Sequence, residues 1–154
     1  MKATTIFNWF GKEKTFNNNY CMVYCADTMP DTPPTLPAVY VTNTSKAGQA
    51  GSHWVLFYFD KEGNAYFIDP LGMAPEVYSR HFIKVLNLTT KAYNMYTDMN
   101  VQSLNSKLCG GFVLYIAYYI CKGVNPEKVM DSFCSMSEMN DVIIEAFLTV
   151  NDLL

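Results

Sequence analysis

The chain has no excess of basic charge, no apolar run long enough to span a bilayer, no internal repeat and no low-complexity tract. Its 11 Lys and Arg against 14 Asp and Glu give a net charge of −3, so neither nucleic acid nor an anionic membrane is an expected partner. The most lipid-like run, residues 110–121, falls well short of the ~20 residues needed to cross a bilayer. The first eleven residues lack the apolar core and small-residue cleavage site of a secretory signal. The expectation is an intracellular chain that is not secreted.

An even set of cysteines is missing too. Cys21, Cys25, Cys109, Cys121 and Cys134 cannot all pair, which fits a reducing compartment and free thiols. Cys21 and Cys25 have no second thiol pair or histidine near them in sequence, so no metal site is expected. What is abundant is apolar: half of the 154 residues are hydrophobic and 11 are tyrosine. A chain of this size suits one domain, here 1–154, that buries roughly 68–70% of its unfolded surface. No heptad seam calls for a dimer, and a monomer is expected.

The patterning predicts an α+β fold, with a small sheet packed on a central helix. A short helix is expected around 7–10 and strands over 20–26 and 38–42, separated by a connection at 29–37 whose four prolines forbid helix and central strand. Residues 53–59 and 65–69 are aromatic and β-branched runs joined by Asp60-Lys61-Glu62-Gly63-Asn64, a hairpin pattern. A five-residue loop pairs Phe59 with Ala65 and so sets Asp69 on the face of His53, with Gly63 in the left-handed region. A four-residue loop would send Asp69 to the other face.

Further on, 75–88 reads as one helix with Pro75 in its first turn and Val77, Phe82, Val85 and Leu86 inward, and 92–97 as a strand. Ser106 looks like an N-cap, making Cys109 the third helical residue. The run 110–121 is apolar nearly all round and should be the buried central helix, ended by Gly123. Asn125-Pro126-Glu127 starts another helix to about 133, and a last one from 137 or 140 turns Val142, Ile143, Phe147 and Leu148 to one side.

Four residue types in this order carry a chemistry. A free thiol of pKa about 8.5 is only slightly ionised at neutral pH, so a nucleophilic cysteine needs an imidazole and a helix N-terminus beside it. Cys109 opens the apolar helix, and His53 supplies the imidazole. Asp69 would orient that ring, and Gln102, seven residues before Cys109, would donate to a developing oxyanion together with the Cys109 backbone N–H. The competing groups are weaker. His81 lies in a polar-flanked helical stretch and reads as solvated; Asp60 and Glu62 fall in a turn; Cys121 and Cys134 lie on apolar helical faces. Trp54 is open between core aromatic and groove wall.

Asn43-Thr44 with Gly51-Ser52-His53-Trp54, then Tyr66-Phe67-Ile68-Asp69-Pro70-Leu71-Gly72, then Gln102 to Gly110, together resemble the adenovirus-type endopeptidases. These are relatives of the SUMO-processing proteases. The forms carried by polinton-type elements, adintovirus-like elements and virophages are nearer still, matching in Gln102-Ser103, Ser106, Cys109-Gly110, the Gly123 region and Asn140-Asp141. The resemblance implies an adenain-like cysteine protease fold with the nucleophile at the N-terminus of the central helix. It implies a maturation protease, packaged in virions or acting in the host cytoplasm or nucleus, that cuts structural precursors at glycine-containing sites. Trp54, Gly51, Ser52 and Gly110 would line a narrow substrate groove.

The chain departs from the adenovirus enzymes in being shorter after Cys109, in lacking a sure match to the cysteine that links their activating peptide, and in carrying Asp69 where glutamate is common. No cofactor is called for, and neither a peptide nor a DNA activator is supported. Two other readings share the residues: a deubiquitinase or SUMO-type isopeptidase, and a non-catalytic binding protein, against which the full set of four argues.

Overall fold

Five short aromatic and β-branched runs form one mixed sheet. The computed structural model describes residues 1–89, 93–96 and 99–154. Strands β1 (Tyr20–Cys25), β2 (Ala38–Asn43), β3 (Trp54–Phe59), β4 (Ala65–Ile68) and β5 (Tyr93–Tyr96) lie in sequence order across the sheet. The outer pairs β1/β2 and β4/β5 are parallel and the inner pairs antiparallel. The strand expected over 92–97 is seen from Tyr93 to Tyr96, its outermost residues lying outside those described.

The hairpin takes the odd-numbered loop. Asp60 organises it, accepting from the Glu62 and Asn64 N–H groups through Oδ1 and from Asn64 Nδ2 through Oδ2, a side-chain turn that aspartate forms readily. Gly63 sits at φ +87°. The register pairs Phe59 with Ala65 and Leu56 with Ile68, so one step further Val55 faces Asp69, and Asp69 shares the face of His53.

Both faces of the sheet are covered, so β2 is buried throughout and β3 and β4 are buried except at Tyr58 and Tyr66. On one side Val39, Val41, Leu56 and Ile68 pack on helix α3 (Cys109–Cys121). Helices α1 (Ala3–Lys12), α4 (Pro126–Asp131) and α5 (Ser137–Val150) surround α3, with Trp9 stacked on Tyr118 and Gly111 giving room to Ile144 and Leu148. On the other side Tyr40, Phe57, Phe59 and Phe67 meet Phe82, Val85 and Leu86 of α2 (Arg80–Thr89). The mixed α+β fold with a buried central helix is as the sequence predicts.

Four local readings are corrected. The single helix expected over 75–88 is a 3-10 turn, Pro75–Val77, followed by α2. Between them Tyr78 is drawn to Asp69 and the Ser79 hydroxyl takes the His81 N–H, a local bond that restarts the helix; Val77 is left exposed. Ser106 is not the N-cap. It belongs to a separate turn whose hydroxyl accepts the Leu108 N–H, so Cys109 is the first helical residue. On α5 the buried side is Asn140, Ile144 and Leu148, while Val142 and Ile143 are exposed. His81 is not solvated: its Nε2 donates to the Met29 carbonyl at 2.7 Å and clasps the proline-rich connection.

Gly72 closes the turn that follows β4, its N–H bonded to the Asp69 carbonyl and its φ at +72°. A Cβ there would lie 3.0 Å from the Asn100 nitrogen and 3.1 Å from the Met99 carbonyl carbon. Both neighbours are backbone and have little freedom to retreat. Gly72→Ala should therefore lose about 1–3 kcal/mol of stability, read as a lower urea midpoint at unchanged m-value. An unchanged midpoint would contradict the turn as described.

Candidate active site

The C-terminal ends of β1, β2 and β4 and the N-terminal end of β3 lie at one end of the sheet. Here the turn after β4 presents Asp69, the residue before β3 is His53, and the N-terminus of α3 presents Cys109. Asp69 is fully buried and each of its oxygens has two donors. Oδ1 faces His53 Nε2 at 2.6 Å and the Leu71 N–H at 2.9 Å. Oδ2 accepts the Tyr78 hydroxyl at 2.6 Å and the Met73 N–H at 3.1 Å. Such a complement is what allows a carboxylate to stay inside a fold.

With Nε2 committed to Asp69, the imidazole also interacts with the Cys109 thiol. Burial pulls the His53 pKa down, but the hydrogen bonds to Asp69 and Cys109 and the charges on both overcome it and hold the ring up at about 9. Burial likewise pushes the Cys109 thiol up. The His53 hydrogen bond, the Trp54 N–H, the His53 charge and the Gly110 N–H together bring it below its ordinary value. Both shifts favour thiolate and imidazolium, and the Gly110 amide is one of the unpaired donors at the start of α3.

Gln102 is almost completely buried in the wall of the same cleft. Its backbone N–H and that of Val101 donate to the Pro70 carbonyl, so the residue after Asp69 carries the Gln102 segment. From α5, Asn140 Nδ2 donates to the Val101 carbonyl at 3.0 Å, and the Ser103 hydroxyl donates to Asp141. The Gln102 amide nitrogen gives one hydrogen to the Ser106 carbonyl at 2.9 Å, leaving the second uncommitted among the described residues. Its Oε1 is buried with no partner among the described residues.

The cleft is open and encloses about 750 Å³, lined in part by Gly51, Ser52, His53, Trp54, Gln102 and Cys109. Trp54 packs its ring in the core and also lines the cleft, and its Nε1 donates to the Met1 carbonyl at 3.1 Å. Gly110 lies beneath this contact, where a Cβ would be 2.8 Å from the Met1 Cβ and 3.2 Å from Trp54. A Cβ on Gly51 would be 2.9 Å from Asn43 Nδ2. The Ser52 hydroxyl is engaged by Thr44 and Ser45, so Ser52 meets the cleft with its side chain already bonded to its own loop.

Sequence reasoning brought His53, Asp69, Gln102 and Cys109 to one place and missed Tyr78, Met1 and Asn43. No spacing rule announces a tyrosine nine residues past the acid or a terminal residue folded over a glycine. In sequence Tyr78 falls on the same stripe as Phe82, Val85 and Leu86 and gives no signal of its own. Burial and the hydrogen bond to Asp69 push the Tyr78 hydroxyl pKa up, keeping it a donor.

Among solved structures, the chain superposes on the crystal structure of ASFV pS273R protease with a TM-score of 0.65 and 14% identity, over 93% of this chain. The fold is that of a viral cysteine protease. A second crystal structure of that protease, with selenomethionine, aligns at a TM-score of 0.49 and 19% identity over 73% of this chain and 44% of that one. The chain spans 65% of the length of the viral protease in the first superposition. No family model matches the chain, and no curated protein does.

On this viral protease fold the Cys109–His53 contact is a measurable coupling. The midpoint of iodoacetamide labelling at Cys109, followed by mass spectrometry across pH, should lie below that of an ordinary thiol, about 8.5. In His53→Ala it should rise towards that value, because the ring's hydrogen bond and charge are both gone. A midpoint indifferent to His53 would refute the coupling. Separately, Tyr78→Phe leaves buried Asp69 one donor short and should lower stability by about 1–3 kcal/mol, measured by urea unfolding.

Proposed function

We propose that the protein is a viral-type cysteine endopeptidase of adenain-like character that cleaves virion or other structural precursor proteins. What supports this most is one arrangement: His53 held by Asp69 at 2.6 Å and electrostatically coupled to Cys109, with both His53 and Cys109 lining an open cleft. A helix N-terminus under the sulfur and an amide in the wall supply the remaining parts of an acyl-transfer site.

In this reading the Cys109 thiolate attacks the scissile carbonyl carbon, and its electron pair shifts to oxygen. The oxyanion receives the uncommitted N–H of Gln102 and the backbone N–H of Cys109. Protonated His53 gives its proton to the departing amine as the C–N bond breaks, leaving a thioester on Cys109. His53 then takes a proton from water, whose oxygen attacks the thioester, and the proton returns to sulfur as the acid is released. Trp54 narrows the groove and Gly51 lines it, so that glycine beside the scissile bond fits best, while Gly110 lies buried beneath Trp54 and Met1, outside the lining.

The test is cleavage of glycine-containing peptides by purified protein, with ubiquitin-like substrates alongside. Cleavage of the ubiquitin-like substrates alone would move the assignment to an isopeptidase. Cys109→Ala and His53→Ala should each lower kcat/KM on the order of 10⁴-fold or more, and Gln102→Ala by roughly 10²–10³. Full activity in Cys109→Ala would remove the proposal. The leaving amine needs the imidazolium, which is present below the raised His53 pKa and lost above it, so turnover should decline as pH rises through about 9.

A further inference from the structure

The chain is acidic, yet its cleft is not. Three lysines, Lys2, Lys46 and Lys107, line it, and among the described residues no aspartate or glutamate does. They come from three separate pieces of chain: the segment before α1, the loop between β2 and β3, and the turn leading into Cys109. All three are exposed, and no ion pair joins any of them to a carboxylate among the described residues. The carboxylates on neighbouring segments lie outside the lining, with Asp141 bonded to Ser103. Asp69 is buried behind His53, and Asp27 accepts the Ala47 N–H at 2.8 Å outside the cleft lining.

In its thiolate–imidazolium form the trio of Asp69, His53 and Cys109 carries one net negative charge, against three positive charges on the rim. The described lining is therefore positive on a chain whose overall charge is −3. A concave site lined by one sign of charge concentrates its field and attracts ligands of the other sign. The lysines flank the cleft from different walls, so the field covers the path of an extended peptide and not one point.

We infer that Lys2, Lys46 and Lys107 make this cleft selective for peptides with acidic side chains flanking the scissile bond. The inference rests on the endopeptidase reading and adds a substrate class to it: glycine at the cut, where the groove is narrow, and aspartate or glutamate outside it, where the lysines stand. Each exposed charge pair is worth about twofold to fivefold in binding, so three together predict about a tenfold or greater preference.

The experiment compares matched glycine-containing peptides whose flanking positions are acidic, amide or lysine, reading kcat/KM for each. At low salt the acidic series should exceed the amide series about tenfold and the lysine series by more. The preference should collapse near 1 M salt, where the screening length falls to about 3 Å. Lys46→Glu and Lys107→Glu should each lower the acidic-to-amide ratio about fourfold or more, with Lys46→Gln and Lys107→Gln giving smaller losses. Lys61→Glu, in the β3–β4 turn away from the cleft, should leave the ratio unchanged and so control for total charge.

Equal cleavage of acidic and amide peptides at low salt, with turnover intact, overturns the inference and leaves the endopeptidase reading standing. Stimulation of every peptide alike by short duplex DNA, with no acidic preference, also overturns it, since the lysines would then serve a polyanion. Failure to cleave any peptide, with Cys109 unreactive to a thiolate probe, removes the endopeptidase reading and the inference together.

Discussion

The Asp69 carboxylate is the constraint on which the rest of the site depends. A charge this deeply buried is tolerated only when its lone pairs are filled, and here four donors fill them. Each donor fixes something different. His53 is oriented, the Leu71 and Met73 amides shape the turn, and Tyr78 is pulled out of what would otherwise be a continuous helix. The next residue, Pro70, lends its carbonyl to the Val101 and Gln102 amides. One turn of chain thus sets the imidazole and the amide wall together, and its geometry depends on Gly72 accepting a positive φ against the 99–100 backbone.

The mixed sheet explains why distant segments converge there. Because β1 and β2 are parallel while β3 returns antiparallel, Cys25, Asn43 and the approach to His53 all reach the same end of the sheet. Helix α3 is packed beneath with its N-terminus at that end, so the sulfur meets backbone donors from two sources, Gly110 on its own helix and Trp54 on β3. Burial alone would silence this thiol. Donors and the neighbouring imidazole outweigh that penalty, which is the usual route to a reactive cysteine inside a half-buried pocket.

Much of this was legible from local chemistry. Asp60 and Gly63 specify the hairpin loop, and the period of two in the strands then carries Asp69 to the face of His53 without any long-range information. The cap at Asn125 and the positive φ at Gly123 were readable for the same reason: one or two residues decide them. Contacts made across the fold were not readable. Tyr78 looks like any helical aromatic until the carboxylate it serves is known. Val142 and Ile143 follow an apolar pattern, yet α5 turns Asn140 inward instead, because that side chain satisfies the Val101 carbonyl and both backbone groups of Cys134. Three hydrogen bonds inside the fold outweigh the periodicity of two apolar residues. Ser106 misled in a similar way, since its hydroxyl serves a turn of its own and the carbonyl beside it is claimed by Gln102.

That claim determines how Gln102 can function. The Ser106 carbonyl can only accept, so the amide must present its nitrogen there, and a flipped side chain would set two oxygens against each other. The orientation strands Oε1 in the interior, a cost of about 1–3 kcal/mol for an unpaired buried acceptor. A hydrophobic residue of similar volume would avoid the penalty. The fold instead keeps a polar side chain at 2% exposure, clamped through its backbone to Pro70 and supported from α5 through Asn140 and Asp141. Its gain is a donor whose direction is fixed before any charge develops beside it. On the proposed endopeptidase reading, such a donor would need no reorganisation when an oxyanion forms, an advantage that would offset an otherwise unfavourable amide in the wall of the cleft.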